Sequence, residues 1–240
     1  MDASNVVMNR SKSPRMKKTF WGDLMRLNLL APLIISAVIF LTACGQEDTP
    51  SAALDEIKLA LAERDATKLS ERADLEKFFA TTYDATTLEL AKRYDDYKTR
   101  YPDDPYFQHS GNFLTAYNTE HKEQHLNFLR GVSDSFFAKL PEPSTPEENP
   151  TAYVANEFEK IRQATNATIK ETRIDDDEAT IILDVQGDNS LRGQFIGQMT
   201  FELGFTRDEK KRWHFEEIKN LDELMPVLVD KAEVVWITFF

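Results

Sequence analysis

The chain has 240 residues, with 29 Lys and Arg against 41 Asp and Glu, a formal net charge of −12 and one cysteine. An acidic surface repels nucleic acid and anionic headgroups, a lone cysteine rules out a disulfide framework and a multi-Cys metal site, and eight glycines argue against a Gly-rich phosphate-binding fold.

The first 43 residues differ from the rest. Arg10, Lys12, Arg15, Lys17, Lys18 and Arg26 form a basic stretch, and Met16-Lys17-Lys18 offers an alternative start. Leu27 to Phe40 is apolar and uncharged. It has the length of a signal-peptide apolar segment and is shorter than the roughly 20 residues of a membrane-spanning helix. Leu41-Thr42-Ala43-Cys44-Gly45 follows directly. This pentapeptide resembles the lipobox of bacterial lipoproteins. The resemblance implies that residues 1–43 are a signal peptide and that Cys44 carries a thioether-linked diacylglyceryl group, usually with an amide-linked acyl chain. The membrane is then a partner through the lipid on Cys44, and the location is the cell envelope. Gly45 in place of Asp leans toward the outer membrane in a host that has one. Beyond residue 43 the chain keeps 23 basic and 39 acidic residues, a net charge of about −16.

Residues 44–51 read as a lipidated polar tether too loose to hold the body rigidly. Residues 52–140 read as a helical region. Ser51 is expected to cap a first helix, with Leu54, Ile57 and Leu61 on one face and Asp55 and Glu56 in its first turn. Leu75, Phe78 and Phe79 mark a second, short helix. Leu90, Tyr94, Tyr97 and Tyr101 then form an aromatic stripe on one helix, ended by Pro102-Asp-Asp-Pro105. Phe113, Tyr117, His121 and Phe128 share a face of the next helix, and Val132, Phe136 and Leu140 continue the period past Gly131. Residues 141–150 hold four prolines in ten and read as an exposed dividing loop.

Residues 151–240 begin with a helix bearing Val154, Phe158 and Ile161. From Ala167 the period changes to two. Ile181, Leu183 and Val185 alternate with Thr180, Asp184 and Gln186; Phe195, Met199, Phe201, Leu203 and Phe205 form a second apolar face; Trp213 and Phe215 alternate with Arg212, His214 and Glu216. Asp175–Asp177, Gly187–Gly193 and Thr206–Lys211 read as hairpin loops. Leu221–Lys231 reads as a short helix, with Pro226 interrupting it or starting a turn, and Val234–Phe240 as a last strand. A terminal aromatic also ends outer-membrane barrels, but the alternating segments are too few for one. The expected fold class is α+β: N-terminal helices packed on a C-terminal antiparallel meander.

Two stretches carry a family resemblance. Ala53 to Asp65, with Leu69 and Leu75, looks like the opening helix of small bacterial lipoproteins of unknown function. Asp208-Glu-Lys-Lys-Arg-Trp213-His-Phe-Glu-Glu-Ile218 is similar to the last hairpin of the nuclear transport factor two-like, cystatin-like superfamily, where a charged turn precedes a strand carrying Trp. The resemblance covers about Ser51–Leu75 and Ala167–Leu221. It implies a cone-shaped sheet with a helical insertion over roughly Thr81–Pro150. That fold hosts enzymes and binding modules alike, so function rests on the site.

Candidate chemistry is sparse. His121 and His125 stand at i and i+4, a zinc spacing, but Lys122 occupies the place of the metalloprotease Glu and no third ligand is evident beyond a distant His109. Asp175-Asp-Asp-Glu178 lacks the spacing of a calcium loop. Glu216 and Glu217 point to opposite faces of a strand. Tyr94, Tyr97, Tyr101 and Tyr117, with Tyr106 and Phe107, are either core or the lining of a ligand groove. Asp184 and His214 are the acid–base candidates on the sheet; the alternation turns His214 toward solvent. The sequence implies no metal and no cofactor. It points to a membrane-anchored, non-catalytic binding or envelope-accessory module whose partner is an envelope protein or a small apolar ligand. The alternative is an enzyme of the cone-shaped fold acting on a small apolar ligand between sheet and helices.

Overall fold

The computed structural model describes residues 48–239; Cys44, the apolar segment before it and Phe240 lie outside them. The described body is α+β: helices precede a four-stranded antiparallel sheet of order β1-β2-β3-β4 (Thr165–Asp175, Glu178–Gly187, Gln198–Arg207, Trp213–Ile218). In the two central strands Ala179, Ile181, Leu183 and Val185 of β2 and Met199, Phe201, Leu203 and Phe205 of β3 point to one buried face; Ile182, on the other side of β2, is also buried. Thr180, Asp184, Thr200 and Glu202 point to the other, partly exposed face. No helix among the described residues is long and apolar enough to cross a membrane.

The first helix, α1 (Pro50–Glu63), packs against β2 and β4. Its cap is Thr49, whose Oγ1 accepts the Ala52 amide at 3.1 Å, and not Ser51. Pro50 explains the correction: its fixed φ and missing N–H suit the first helical position. Ser51 Oγ lies inside the helix and reaches Thr172 Oγ1 at 3.3 Å, and Asp55 falls in the second turn. Asp48 to Ser51, read from the sequence as the end of a loose tether, belong to the ordered body. A short α2 (Ala66–Ser70) follows. Arg72 and Ala73 then run beside β4, with the Phe215 amide donating to Arg72 O at 2.8 Å, which covers part of that sheet edge.

The second helix was expected to be short, yet α3 runs from Leu75 to Lys92, capped by Asp74. The tyrosine stripe does not lie on one helix. The chain breaks at Arg93, and Tyr94–Arg100 form a separate α4. Arg93 holds that break with Glu89 and Asp230 carboxylates and the Pro226 carbonyl. After a 3-10 turn at Pro105–Phe107, α5 (Gly111–Phe137) passes through Gly131 uninterrupted; Leu140 lies beyond its end and is exposed. The proline-rich segment is a loop of bends ending at α6 (Pro150–Gln163), where Asn149 caps and Pro150 again takes the first position.

Gly187–Gly193 is not a plain hairpin loop. Ser190 caps a short α7 (Leu191–Ile196), so Phe195 sits on a helix and β3 starts only at Gln198. Here two glycines meet: a Cβ on Gly187 would stand 1.8 Å from the Gly193 carbonyl oxygen. Gly187→Ala must spread two backbones and is expected to cost about 1–3 kcal/mol or more. Gly111→Ala, with 3.8 Å to its nearest neighbour, is the control and should cost nothing. Urea unfolding of both variants checks this; equal midpoints would refute it. Finally, Leu221–Phe239 is one helix, α8, in place of a short helix and a strand. Pro226 sits in its second turn, where only the Asp222 carbonyl loses its i+4 donor.

The core is continuous. Tyr94, Tyr97, Phe107, Leu114 and Phe136 from the middle helices belong to the same buried cluster as Leu54, the sheet residues and Leu228 of α8.

Candidate functional site

The tyrosines serve the core. Tyr94 and Tyr97 are buried, and both rings pack on Phe107, at centroid distances of 6.0 and 5.2 Å. Tyr101 stacks on Tyr97 and donates its hydroxyl to the Glu233 carboxylate on α8; burial, reinforced by that carboxylate, pushes its pKa up to about 12. Tyr117 sits edge-on to Tyr106 and stacks on His121 at 4.2 Å. Of the four, Tyr94 and Tyr97 are buried and Tyr101 and Tyr117 half-buried, and only Tyr97 and Tyr101 pack on each other. Asp184 does not join them. It lies on the open sheet face, accepting from Thr200 Oγ1 at 2.7 Å and 3.7 Å from Lys170 Nζ.

The two i, i+4 histidines also have local duties. His121 Nδ1 is 2.9 Å from the Tyr117 carbonyl, which accepts its proton. His125 is buried, with Nδ1 2.8 Å from the Tyr83 hydroxyl; that hydroxyl is also 2.8 Å from the Asn118 carbonyl. Because Tyr83 has one proton and Asn118 O can only accept, His125 Nδ1–H donates to Tyr83 and Tyr83 donates to Asn118. Burial, aided by the charge of His121, pushes His125 down to about 4.

His214 lies on something else. A cleft of about 660 Å³ opens between the start of α3, the end of α5 and strand β4. Ala73, Leu75, Phe137 and Phe215 supply its apolar lining; Asp74, Glu76, Asp134 and Glu216 supply carboxylates; His214 completes the β4 wall. A narrower apolar recess of about 40 Å³ shares Leu75, Ser133 and Phe137 with it and reaches toward Leu61, Phe79 and Phe158. The larger volume falls in the range of small-ligand sites, and the recess has room for about a methyl group.

No family model matches the chain, and no curated protein or solved structure matches it either.

The cleft's charges are partly balanced. Glu76 takes a forked contact from Arg130, with Nε 2.8 Å from both oxygens, and that hydrogen bond lowers its pKa. Glu216 pairs with Lys77. Asp74 caps α3 through the Lys77 amide. Asp134 has no ion-pair partner among the described residues, and no basic residue stands in the last turn of α5, whose carbonyl end is itself partly negative. His214 Nε2 is 3.0 Å from Asp208 Oδ2. The Arg212 amide and then the His214 and Arg212 side chains hold Asp208 well below the usual carboxylate range.

Sequence reasoning missed most of this site. Asp74, Asp134 and Phe137 come from segments about 60 residues apart and share no spacing motif. The one legible signal was Asp before an apolar helix start, which reads as a cap and not as a cleft.

Proposed function

We propose that this chain is a lipid-anchored, non-catalytic binding module of a bacterial cell envelope, in the outer membrane where the host has one, and that the α3–α5–β4 cleft is its ligand site. Cys44 is the anchor. The observation that carries the reading is the cleft itself: an apolar floor, an apolar recess behind it and a carboxylate rim on which Asp134 has no ion-pair partner among the described residues. That combination favours a ligand joining a positive charge to a short apolar arm. The amine or quaternary ammonium meets the carboxylates, while the arm lies along the apolar lining of Phe137 and Phe215 and its terminal methyl enters the recess. The likeness of the Asp208–Ile218 hairpin to the cystatin-like superfamily agrees with a binding role and does not decide it.

Hexyltrimethylammonium, 1-hexanol and hexanesulfonate, titrated into the isotope-labelled body, test the reading. The ammonium probe is expected to shift amide resonances of Ala73, Phe137 and His214, with affinity falling several-fold in Asp134→Asn and in Phe137→Ala. Shifts scattered over the surface, or none with any probe, would overturn it.

A second reading has one observation in its favour. The His214–Asp208 pair beside the cleft resembles an oriented general base, which suits an enzyme acting on a small apolar ligand. Hydrolysis of p-nitrophenyl acetate that disappears in His214→Ala would move the function there.

A further inference from the structure

The described body begins at a clamp. Asp48 Oδ2 accepts the Trp213 amide at 2.9 Å, and its other oxygen lies 3.0 Å from Arg72 Nη2. Arg72 also donates from Nη1 to the Trp213 carbonyl at 3.1 Å and from Nε to Glu56 at 2.5 Å. Arg72 is 8% exposed, so residue 48 is tied to the first residue of β4 through a shielded ion pair.

Three residues lie between Cys44 and Asp48, which makes four Cα–Cα steps. At 3.8 Å between successive Cα atoms they span at most about 15 Å. A body of some 190 residues has a radius of gyration of about 16 Å. The leash is therefore shorter than the body is wide. A body on such a leash cannot roll to bring its far side to the lipid.

From this we infer that the body rests on the bilayer by one end: the end carrying Asp48, the Asp208–Arg212 turn between β3 and β4, and the β4 wall of the cleft. The partner is the bilayer surface. The opposite end is fixed by the sheet. β3 runs ten residues from Gln198 to Arg207, about 33 Å at the usual rise, and α7 stands at its start. Leu191 on α7, 81% exposed, is then roughly 30 Å farther from the lipid than Lys210. The leash, not charge, sets this placement: Lys210, Lys211 and Arg212 of the turn stand beside the acidic β1–β2 turn Asp175–Glu178, with Asp177 3.5 Å from Lys211 Nζ.

The inference rests on Cys44 as the lipid anchor, and the experiment separates the two. The lipidated protein has its native thiol consumed, so Lys210→Cys or Leu191→Cys provides a single labelling site for an NBD fluorophore. The labelled proteins are placed in vesicles of phosphatidylcholine and phosphatidylglycerol at 3:1, some carrying a headgroup nitroxide. Quenching at position 210 is expected to exceed that at 191 several-fold. A twelve-residue Gly-Ser insertion after Gly45 should erase the difference. Equal quenching at both sites with the native leash, or stronger quenching at 191, would overturn the orientation. Failure of the native protein to float with vesicles, or fatty-acid labelling that persists in Cys44→Ala, would overturn the anchor instead.

Discussion

Trp213→Ala is expected to lower the unfolding free energy by about 3–5 kcal/mol, the range for deleting a fully buried large aromatic side chain. Trp213 is 0% exposed and the largest wholly buried side chain among the described residues. The guanidinium of Arg207 lies 4.4 Å from the centre of its ring, so truncation removes a cation–π contact along with the buried area. For a body of this size that corresponds to a fall in melting temperature of about 10 °C. Trp213→Phe should cost much less. It keeps an aromatic ring and deletes the indole N–H, a buried donor with no hydrogen-bond partner among the described residues, which offsets part of the lost packing. Urea unfolding followed by circular dichroism measures both. A loss below 1 kcal/mol for the alanine variant, or equal losses for the two, would contradict this account of the site.

Acid is expected to destabilise the protein through His125. In the unfolded chain a histidine titrates near 6.5; in the fold His125 is held neutral down to about 4. Between these values the unfolded state binds a proton that the folded state refuses, so stability falls as pH drops through that window. Above pH 6.5 neither state holds the proton and the contribution is constant. The interval corresponds to about 3 kcal/mol lost between pH 6.5 and 4. His125→Gln keeps a side chain able to bond Tyr83 but cannot titrate, and its stability should be flatter over the same window. Denaturant midpoints taken at half-unit pH steps give the comparison. Parallel slopes for the two proteins would mean that carboxylates, not His125, set the acid response.

The fold was largely legible because both periods were strong. Ile181, Leu183 and Val185 recur at every second residue and are buried, with Ile182 the one break in the polar side, and Val154 and Phe158 repeat at helical spacing and lie on the buried face of α6. Misreadings cluster where a local signal competes with tertiary contacts. Phe195 fits a strand's alternation, but Ser190 and the bare Cα atoms of Gly187 and Gly193 let the chain turn into α7 first. Pro226 reads as an interruption, yet a proline this near a helix start removes little, and the apolar face of Leu221, Leu224, Leu228 and Val229 holds α8 on the core. The break at Arg93 leaves no mark in the tyrosine spacing, because the stripe keeps its period across it. The cleft was the least legible feature, since its lining is assembled by contacts between segments far apart in the chain.

The Asp48–Trp213 clamp joins residues 165 positions apart. A loop of that length closes late, after the local helices and hairpins. A chain delivered N-terminus first therefore has Asp48 unclamped until β4 has emerged and paired. In the lipoprotein reading this sets an order of events. Acylation and cleavage at Cys44, as proposed, would precede the clamp, which holds Asp48 only once the last hairpin is in place. Maturation and docking would then need no separate switch, because the time taken to complete the sheet keeps them apart.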